Sequence, residues 1–302
     1  MSVLVAGSLH LDVIVRAPHL PRQDETVRGE AVDYVPGGKG GNQAVAAARM
    51  GARVAMAGMV GSDAFGDRLL EALAVAGVDC RGVGRDAGAS GMSVAIIEAD
   101  GSYGAVIVSA ANLRIDPAAI ALPADARVLV LQNEVPEAVN LAAARAARGA
   151  GARTVLNAAP ARAVSPELMA LVDVLIVNRV EAADMLGLPE IGDAAEAALG
   201  LAALGPAAVI VTLGAGGLVL CEGGATRASP AHPVAVVSTH GAGDAFVGAL
   251  AARLDAGDAL AAAAAFGQAA AALHVSVPAG ARGAVTPDAV RALARAASAQ
   301  SR

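Results

Sequence analysis

Asp244 is preceded by three small residues, Gly241, Ala242 and Gly243, and followed by an Ala-rich helical pattern that runs to Leu254. An apolar run, Pro233–Val237, reads as the strand that leads in, with Ser238-Thr239-His240 between. Small residues let backbone N–H groups face a ligand without side chains in the way. At a helix start those N–H groups lack internal partners and carry partial positive charge. The pattern therefore predicts an anion cradle suited to phosphate. A carboxylate beside an anion is electrostatically unwelcome, unless it takes a proton from an attacking hydroxyl. Taken alone, the same residues are more simply a tight turn with an acid favouring the helix dipole, and the rest of the chain decides.

Four further polar clusters follow runs that read as extended. Gly37-Gly38-Lys39-Gly40-Gly41-Asn42 reads as a loop before a helix over Gln43–Met50. Its glycines admit a small polar ligand to the backbone around Lys39, and Asn42 can donate to and accept from sugar-type hydroxyls; otherwise it is an ordinary loop. Gln132-Asn133-Glu134, after the strand Arg127–Leu131, offers another hydroxyl acceptor or a solvated turn. Asn178 and Glu181 follow the strand Val174–Val177 and share one helix face. They suit either a hydrated Mg2+ or a capping box. Thr212-Leu213-Gly214-Ala215-Gly216-Gly217 is either a glycine bed for a nucleotide or a hairpin turn between Val209–Leu213 and Leu218–Cys221. Near the N-terminus, alternation in Gly7-Ser8-Leu9-His10-Leu11-Asp12 puts His10 and Asp12 on one face of an extended segment. There is no complete Gly-x-Gly-x-x-Gly, and Gly40 after Lys39 rules out a Walker A loop. Neither a Ser-His-Asp order nor a metal-ligand cluster points to a hydrolase or zinc enzyme.

The elements that must position these groups alternate regularly. Short apolar runs at Arg127–Leu131, Thr154–Leu156, Val174–Val177 and Ala208–Leu213 are separated by helical patterns such as Pro136–Arg148, closed by Gly149, and Asp193–Leu204. Such alternation predicts a parallel, doubly wound sheet with ligands at the strand carboxyl ends. Val13–Val15, Thr26–Tyr34 and a hairpin of Ser93–Glu98 with Ala105–Ser109, turning at Asp100-Gly101, predict a second, small sheet. Asp116-Pro117 opens a short helix. Over 302 residues, 56% are hydrophobic, which is ample for a core, and the net charge of −6 offers no basic footprint for nucleic acid. Cys80 and Cys221 are isolated and no basic leader precedes Asp12, which predicts a cytoplasmic protein with reduced thiols. Gly267, Gln268 and His274 interrupt Ala259–Val277, so a buried helix is expected there and no membrane span.

Gly37-Gly38-Lys39-Gly40-Gly41-Asn42-Gln43-Ala44 and Gly241-Ala242-Gly243-Asp244 together resemble the two signatures of the ribokinase (PfkB-type) carbohydrate kinase family. The resemblance covers nearly the whole chain through Gly7-Ser8 with Asp12, Asn157-Ala158-Ala159-Pro160-Ala161, Asn178 to Glu181, and Thr212-Leu213-Gly214. It implies a single ribokinase-like α/β domain over 1–302: a doubly wound, mostly parallel sheet flanked by helices, with a small β-sheet lid of about 12–36 and 91–110. The lid would also carry a homodimer contact. The implied reaction is transfer of the ATP γ-phosphoryl to a primary hydroxyl of a small, ribose-like sugar, with Mg2+. Asp244 is implied as base, and Gly241, Ala242 and Gly243 as anion hole. His10, Asp12, Gly38, Lys39, Asn42 and Glu134 join Asp244 at the sugar. Asn178, Thr212, Gly214, Gly217, Gly243 and Gln268 are implied at the nucleotide, and Asn178 with Glu181 at Mg2+ through water.

Three departures qualify the pattern. His10 stands where ribokinases commonly carry Asn. Ser238 replaces an Asp that is a monovalent-cation ligand in ribokinases, and His240 replaces a small or β-branched residue. A neutral hydroxyl attracts K+ far less than a carboxylate, so K+ activation through Ser238 and His240 is left open. The alternatives are a fructose-type, sugar-acid or nucleoside kinase of the same family; the scarcity of aromatic residues counts against a nucleoside. From other classes, the alternatives are a sugar- or nucleotide-binding protein without turnover, and a dehydrogenase that lacks its glycine fingerprint.

Overall fold

The computed structural model describes residues 2–98 and 102–300. The chain opens with β1 (Ser2–Ala6), β2 (His10–Arg16), β3 (Ala31–Gly37) and α1 (Lys39–Arg49). Next come β4 (Val54–Gly61), α2 (Ala64–Val75), β5 (Asp79–Asp86), β6 (Gly91–Ile97) and β7 (Tyr103–Val108). The regular part comprises β8 (Ala126–Gln132), α3 (Glu137–Ala150), β9 (Arg153–Asn157), α4 (Pro166–Met169), β10 (Val174–Asn178), α5 (Arg179–Leu186), α6 (Ala194–Ala202) and β11 (Ala208–Thr212). It is followed by β12 (Leu218–Glu222), β13 (Ala225–Ser229), α7 (Ala242–Asp255), α8 (Leu260–Ser276) and α9 (Pro287–Gln300).

Among the described residues the strands form two sheets. The larger has the order β13-β12-β11-β10-β9-β8-β1-β4-β5 and is parallel except at β11-β12 and β12-β13. The smaller has the order β3-β2-β6-β7, with β2 and β6 parallel and the outer pairs antiparallel. The doubly wound, mostly parallel architecture with a small second sheet is thus present. Its central strands are apolar on both faces because helices cover both. Along β1, Val3 and Val5 pack into one core with Ala44, Val247 and Leu250, while Leu4 and Ala6 pack into the other with Leu129, Ala143 and Leu175. The abundant alanines let helices approach closely. At Gly248 a Cβ would lie 2.5 Å from the Ala46 Cβ and 2.6 Å from the Gln43 carbonyl oxygen, so a glycine there lets α7 lie against α1. That close approach brings the first turn of α7 to the first turn of α1. No helix among the described residues is long and apolar enough to cross a membrane.

Several local expectations are corrected. Pro233–Val237 is not a strand: the segment is irregular, Val236 and Val237 are exposed, and Pro230 and Pro233 have no N–H to give a ladder. The edge of the large sheet is instead β13, whose alternation was too weak to read. The expected loop Gly37–Asn42 is largely helix: α1 starts at Lys39, and only Gly38, with φ +83°, forms the turn. Gly40 is needed there for packing, since a Cβ would come within 2.7 Å of the Ser8 backbone. The extended piece expected at Thr26–Tyr34 begins only at Ala31. Helix α3 runs past Gly149 and ends on the left-handed Gly151. Asp116-Pro117 opens only a 3-10 turn, with Asp116 capping Ala118. β5 was unforeseen because its polar residues suit an edge strand without a clear period. The hairpin pairs β6 with β7, and its Asp100-Gly101 turn lies outside the described residues.

Candidate active site

Asp244 is placed by two helices and held by amides. Gly241 caps α7 in the left-handed conformation, φ +76°, which a glycine adopts without strain. One turn on, the buried Asp244 carboxylate accepts from Asn42 Nδ2 at 3.0 Å through Oδ2 and from Gln43 Nε2 at 2.9 Å through Oδ1. Gln43 is fully buried. Its Nε2 also donates to Asn157 Oδ1 at 3.0 Å, and its Oε1 accepts from Gln132 Nε2 at 2.8 Å. A chain of amides from β8 through α1 therefore fixes the acid on α7. Burial pushes the Asp244 carboxyl above the usual range, while the Lys39 charge and the Gln43 and Asn42 bonds pull it back. In the sequence Gln43 and Asn157 stand only as motif residues of the resemblance and Gln132 only beside Glu134 as a hydroxyl acceptor or turn; none is read there as a support of Asp244. The available signal was a glutamine at a core position of an otherwise small, apolar helix face.

The cradle is partly as expected. The Ala242 N–H is spent on the Thr239 carbonyl at 3.2 Å, closing the turn, so it is not a free donor. Among the described residues, the N–H groups of Gly241, Gly243 and Asp244 have no such partner. Ser238 Oγ accepts from His240 N at 3.4 Å, and His274 Nε2 bonds the His240 carbonyl at 3.0 Å. The two residues considered for a monovalent cation are therefore engaged within the protein.

On the acceptor side, Glu134 Oε2 accepts from the Lys39 N–H at 2.9 Å and from Ser8 Oγ. Asp12 accepts from Ser93 Oγ and lies so close to Gly37 that a Cβ there would be 2.2 Å from its Oδ2. His10 is 3% exposed, with Nδ1 3.8 Å from Glu134 and Nε2 3.3 Å from Asn112 Nδ2. Burial lowers the His10 pKa against the pull of Glu134 and Asp12. The structure therefore packs His10 inside, bordering Glu134, a placement that the alternation of His10 and Asp12 on one face did not specify. Gln132 and Asn133 are buried too, so of the two readings of that segment, hydroxyl acceptor or solvated turn, the solvated turn is excluded.

A cavity of about 210 Å³ joins Lys39 and Asp244 to Asn178, Glu181, Thr212 and the Gly241–Gly243 turn. The capping box is formed: Glu181 N donates to Asn178 Oδ1 at 2.9 Å, and Asn178 N to Glu181 Oε2 at 2.8 Å. This uses one atom of each side chain, so a cap and a cation role are compatible. Burial raises the Glu181 carboxyl, a cost that a nearby cation would relieve. Among the described residues no three His, Cys, Asp or Glu side chains cluster to hold a metal directly. The donor set nevertheless suits Mg2+, which keeps waters and takes few protein oxygens when phosphates complete its shell.

Thr212–Gly217 is the hairpin turn between β11 and β12. Thr212 Oγ1 donates to the Val177 carbonyl at 3.3 Å. Gly217, at φ +90°, is also dictated by packing, because a Cβ would fall 2.0 Å from the Ser229 carbonyl. Gln268 Nε2 donates to the Pro230 carbonyl at 2.9 Å and so secures the exit of β13. A second cavity, about 530 Å³, runs along α1 from Gly37, Asn42 and Asp244 to Arg49, His274 and Arg282.

Residues 1–287 match the model of the pfkB family carbohydrate kinases. The chain is 33% identical over 283 residues to a ribokinase of Haemophilus influenzae, covering 91% of this chain and 92% of that one. It is 31% identical over 259 residues to a deoxyribokinase of Salmonella typhi, covering 83% and 85%. A solved structure of Arabidopsis thaliana ribokinase, complexed with ribose and ATP, matches with a TM-score of 0.89 at 28% identity over 97% of this chain and 98% of that one.

Proposed function

Because this chain belongs to the pfkB family of carbohydrate kinases, and is accordingly an ATP-dependent carbohydrate kinase, we propose that its acceptor is a small sugar of the ribose type, phosphorylated at a primary hydroxyl. The observation that carries this reading is the Asp244 carboxylate, held by Asn42 and Gln43 one turn inside a glycine-capped helix start. Asp244 takes the proton of the attacking hydroxyl. The N–H groups of Gly241 and Gly243 meet the charge that spreads over the transferred phosphoryl. Lys39, whose charge already acts on both Asp244 and Glu181, adds a fixed positive group between acceptor and nucleotide. Asp12, Gly38, Asn42 and Glu134 hold the sugar hydroxyls, and His10 backs Glu134. Asn178 and Glu181 would hold Mg2+ through water, which would supply neutralisation of the phosphate charge. Thr212, Gly214, Gly217 and Gln268 flank the nucleotide.

The small sheet closes over the acceptor as a lid and excludes water, which would otherwise compete as acceptor. Its exposed Val32, Val35, Val106 and Ile107 support pairing of two copies through it. The similarity to a deoxyribokinase makes 2-deoxyribose the second candidate acceptor. A coupled ADP-release assay over pentoses, hexoses, sugar acids and nucleosides, with and without K+, tests the assignment. The expected result is highest kcat/KM on ribose or 2-deoxyribose. A clear preference for a nucleoside or a sugar acid would reject it.

A further inference from the structure

His274, near the end of α8, has no part in the roles above. Its Nε2 lies 3.0 Å from the His240 carbonyl oxygen. A carbonyl only accepts, so Nε2 carries the proton and donates. The His240 carbonyl shares its peptide unit with the Gly241 N–H, one of the cradle donors. In a planar trans peptide the C=O and N–H point in opposite directions, so holding the one aims the other. Gly241 lines both cavities: the larger contains His274, the smaller Asn178 and Glu181. With the carbonyl held by His274 of the larger cavity, the direction of the Gly241 N–H is fixed, and Gly241 also lines the smaller cavity, where phosphates are proposed to lie. The contact is close, since a Cβ on Gly241 would approach His274 Nε2 to 3.1 Å. The same end of α8 anchors the preceding residues: the Val275 carbonyl accepts from Val237 N at 2.7 Å and from Ser238 N at 3.2 Å.

The surroundings keep the imidazole a neutral donor. Burial lowers its pKa, the bond to His240 opposes this, and the charges of Arg282, Arg49 and His240 lower it further. Arg282 Nε and Nη2 are buried and, among the described residues, have no protein acceptor. Positive charge is therefore already built into this end of the larger cavity.

We propose that His274 is a positioning residue for phosphoryl transfer: its Nε2–H holds the His240–Gly241 peptide so that the Gly241 N–H faces the transferred phosphoryl, with no bound ion needed to orient that loop. The assignment rests on the kinase reading for its effect on rate, though not for its effect on the loop. The test compares wild type with His274→Ala and with His274→Gln, whose amide N–H can reach the same carbonyl. Steady-state kinetics with ribose and ATP are measured alongside amide hydrogen exchange across Ser238–Gly243. His274→Ala is expected to lower kcat about tenfold, the scale of one lost hydrogen bond. It should leave the sugar KM within about twofold and speed exchange in that segment, and His274→Gln should recover most of both. Added K+ should leave the wild-type kcat unchanged. Wild-type kcat in His274→Ala, a loss confined to KM, a glutamine variant as slow as the alanine one, or a wild-type rate that rises severalfold with K+ would each overturn the proposal. If the wild type phosphorylates no sugar, the kinase reading falls and the exchange measurement alone decides: unchanged exchange in His274→Ala then rejects the positioning role.

Discussion

Around Asp244 the polar side chains bond to one another, whereas around Thr212–Gly217 they bond to the backbone of neighbouring elements. Asn42, Gln43, Gln132 and Asn157 form a buried network that converges on one carboxylate. Thr212 and Gln268 each cap a carbonyl, and Gly217 merely avoids a clash with Ser229. The first region is organised in advance by groups whose loss leaves a neighbour buried and unsatisfied. The second is ordinary strand-end structure against which a ligand can lie. Reaction rate should therefore be sensitive to substitutions in the first region, and nucleotide affinity only mildly sensitive to substitutions in the second.

Asp244→Asn should give the largest effect: kcat falls by about 10²–10⁴-fold, the usual scale for a general base, while calorimetry still detects sugar binding. Retained turnover would remove Asp244 from the chemistry. Gln43→Leu comes next, with kcat about 10–100-fold lower because Gln132 and Asp244 each lose a buried partner. It also has a pH signature. The Gln43 bond lowers the Asp244 pKa, so its removal raises that pKa further. A base works only when ionised, so the acidic limb of the kcat/KM profile should move to higher pH; a limb that stays put would separate Gln43 from the base. Gly248→Val tests the packing beneath both. It should destabilise the fold by about 1–3 kcal/mol in denaturant titration, because α7 must move off α1. Gln268→Ala should be smallest: the ATP KM rises less than about tenfold with kcat unchanged, as expected for one exposed hydrogen bond. A loss there as large as at Gln43 would erase the contrast between the two regions.

Much of this was legible in the chain itself. The apolar runs of β8 to β11 and the helices between them encode a parallel sheet by alternation, which depends only on local periodicity. Gly241 and Asp244 mark a helix start that can take an anion and a proton, but alone they are more simply a turn with an acid on the helix dipole, and it is the Gly37–Ala44 motif and the other clusters that decide between the two. Pro233–Val237 shows the limit: its composition suits a strand, yet among the described residues it pairs with none, and Val236 and Val237 remain exposed.

What tertiary structure alone decided is which polar groups meet. Gln43 and Asp244 are about two hundred residues apart in sequence. They touch because Gly248 has no side chain to hold α7 away from Ala46. The same holds for His274 and the His240 carbonyl, and for His10, which an alternating pattern could place on a face but not on the inside of it. Local pattern sets the element and its exposed chemistry. Close packing between distant elements sets which atoms are left to act.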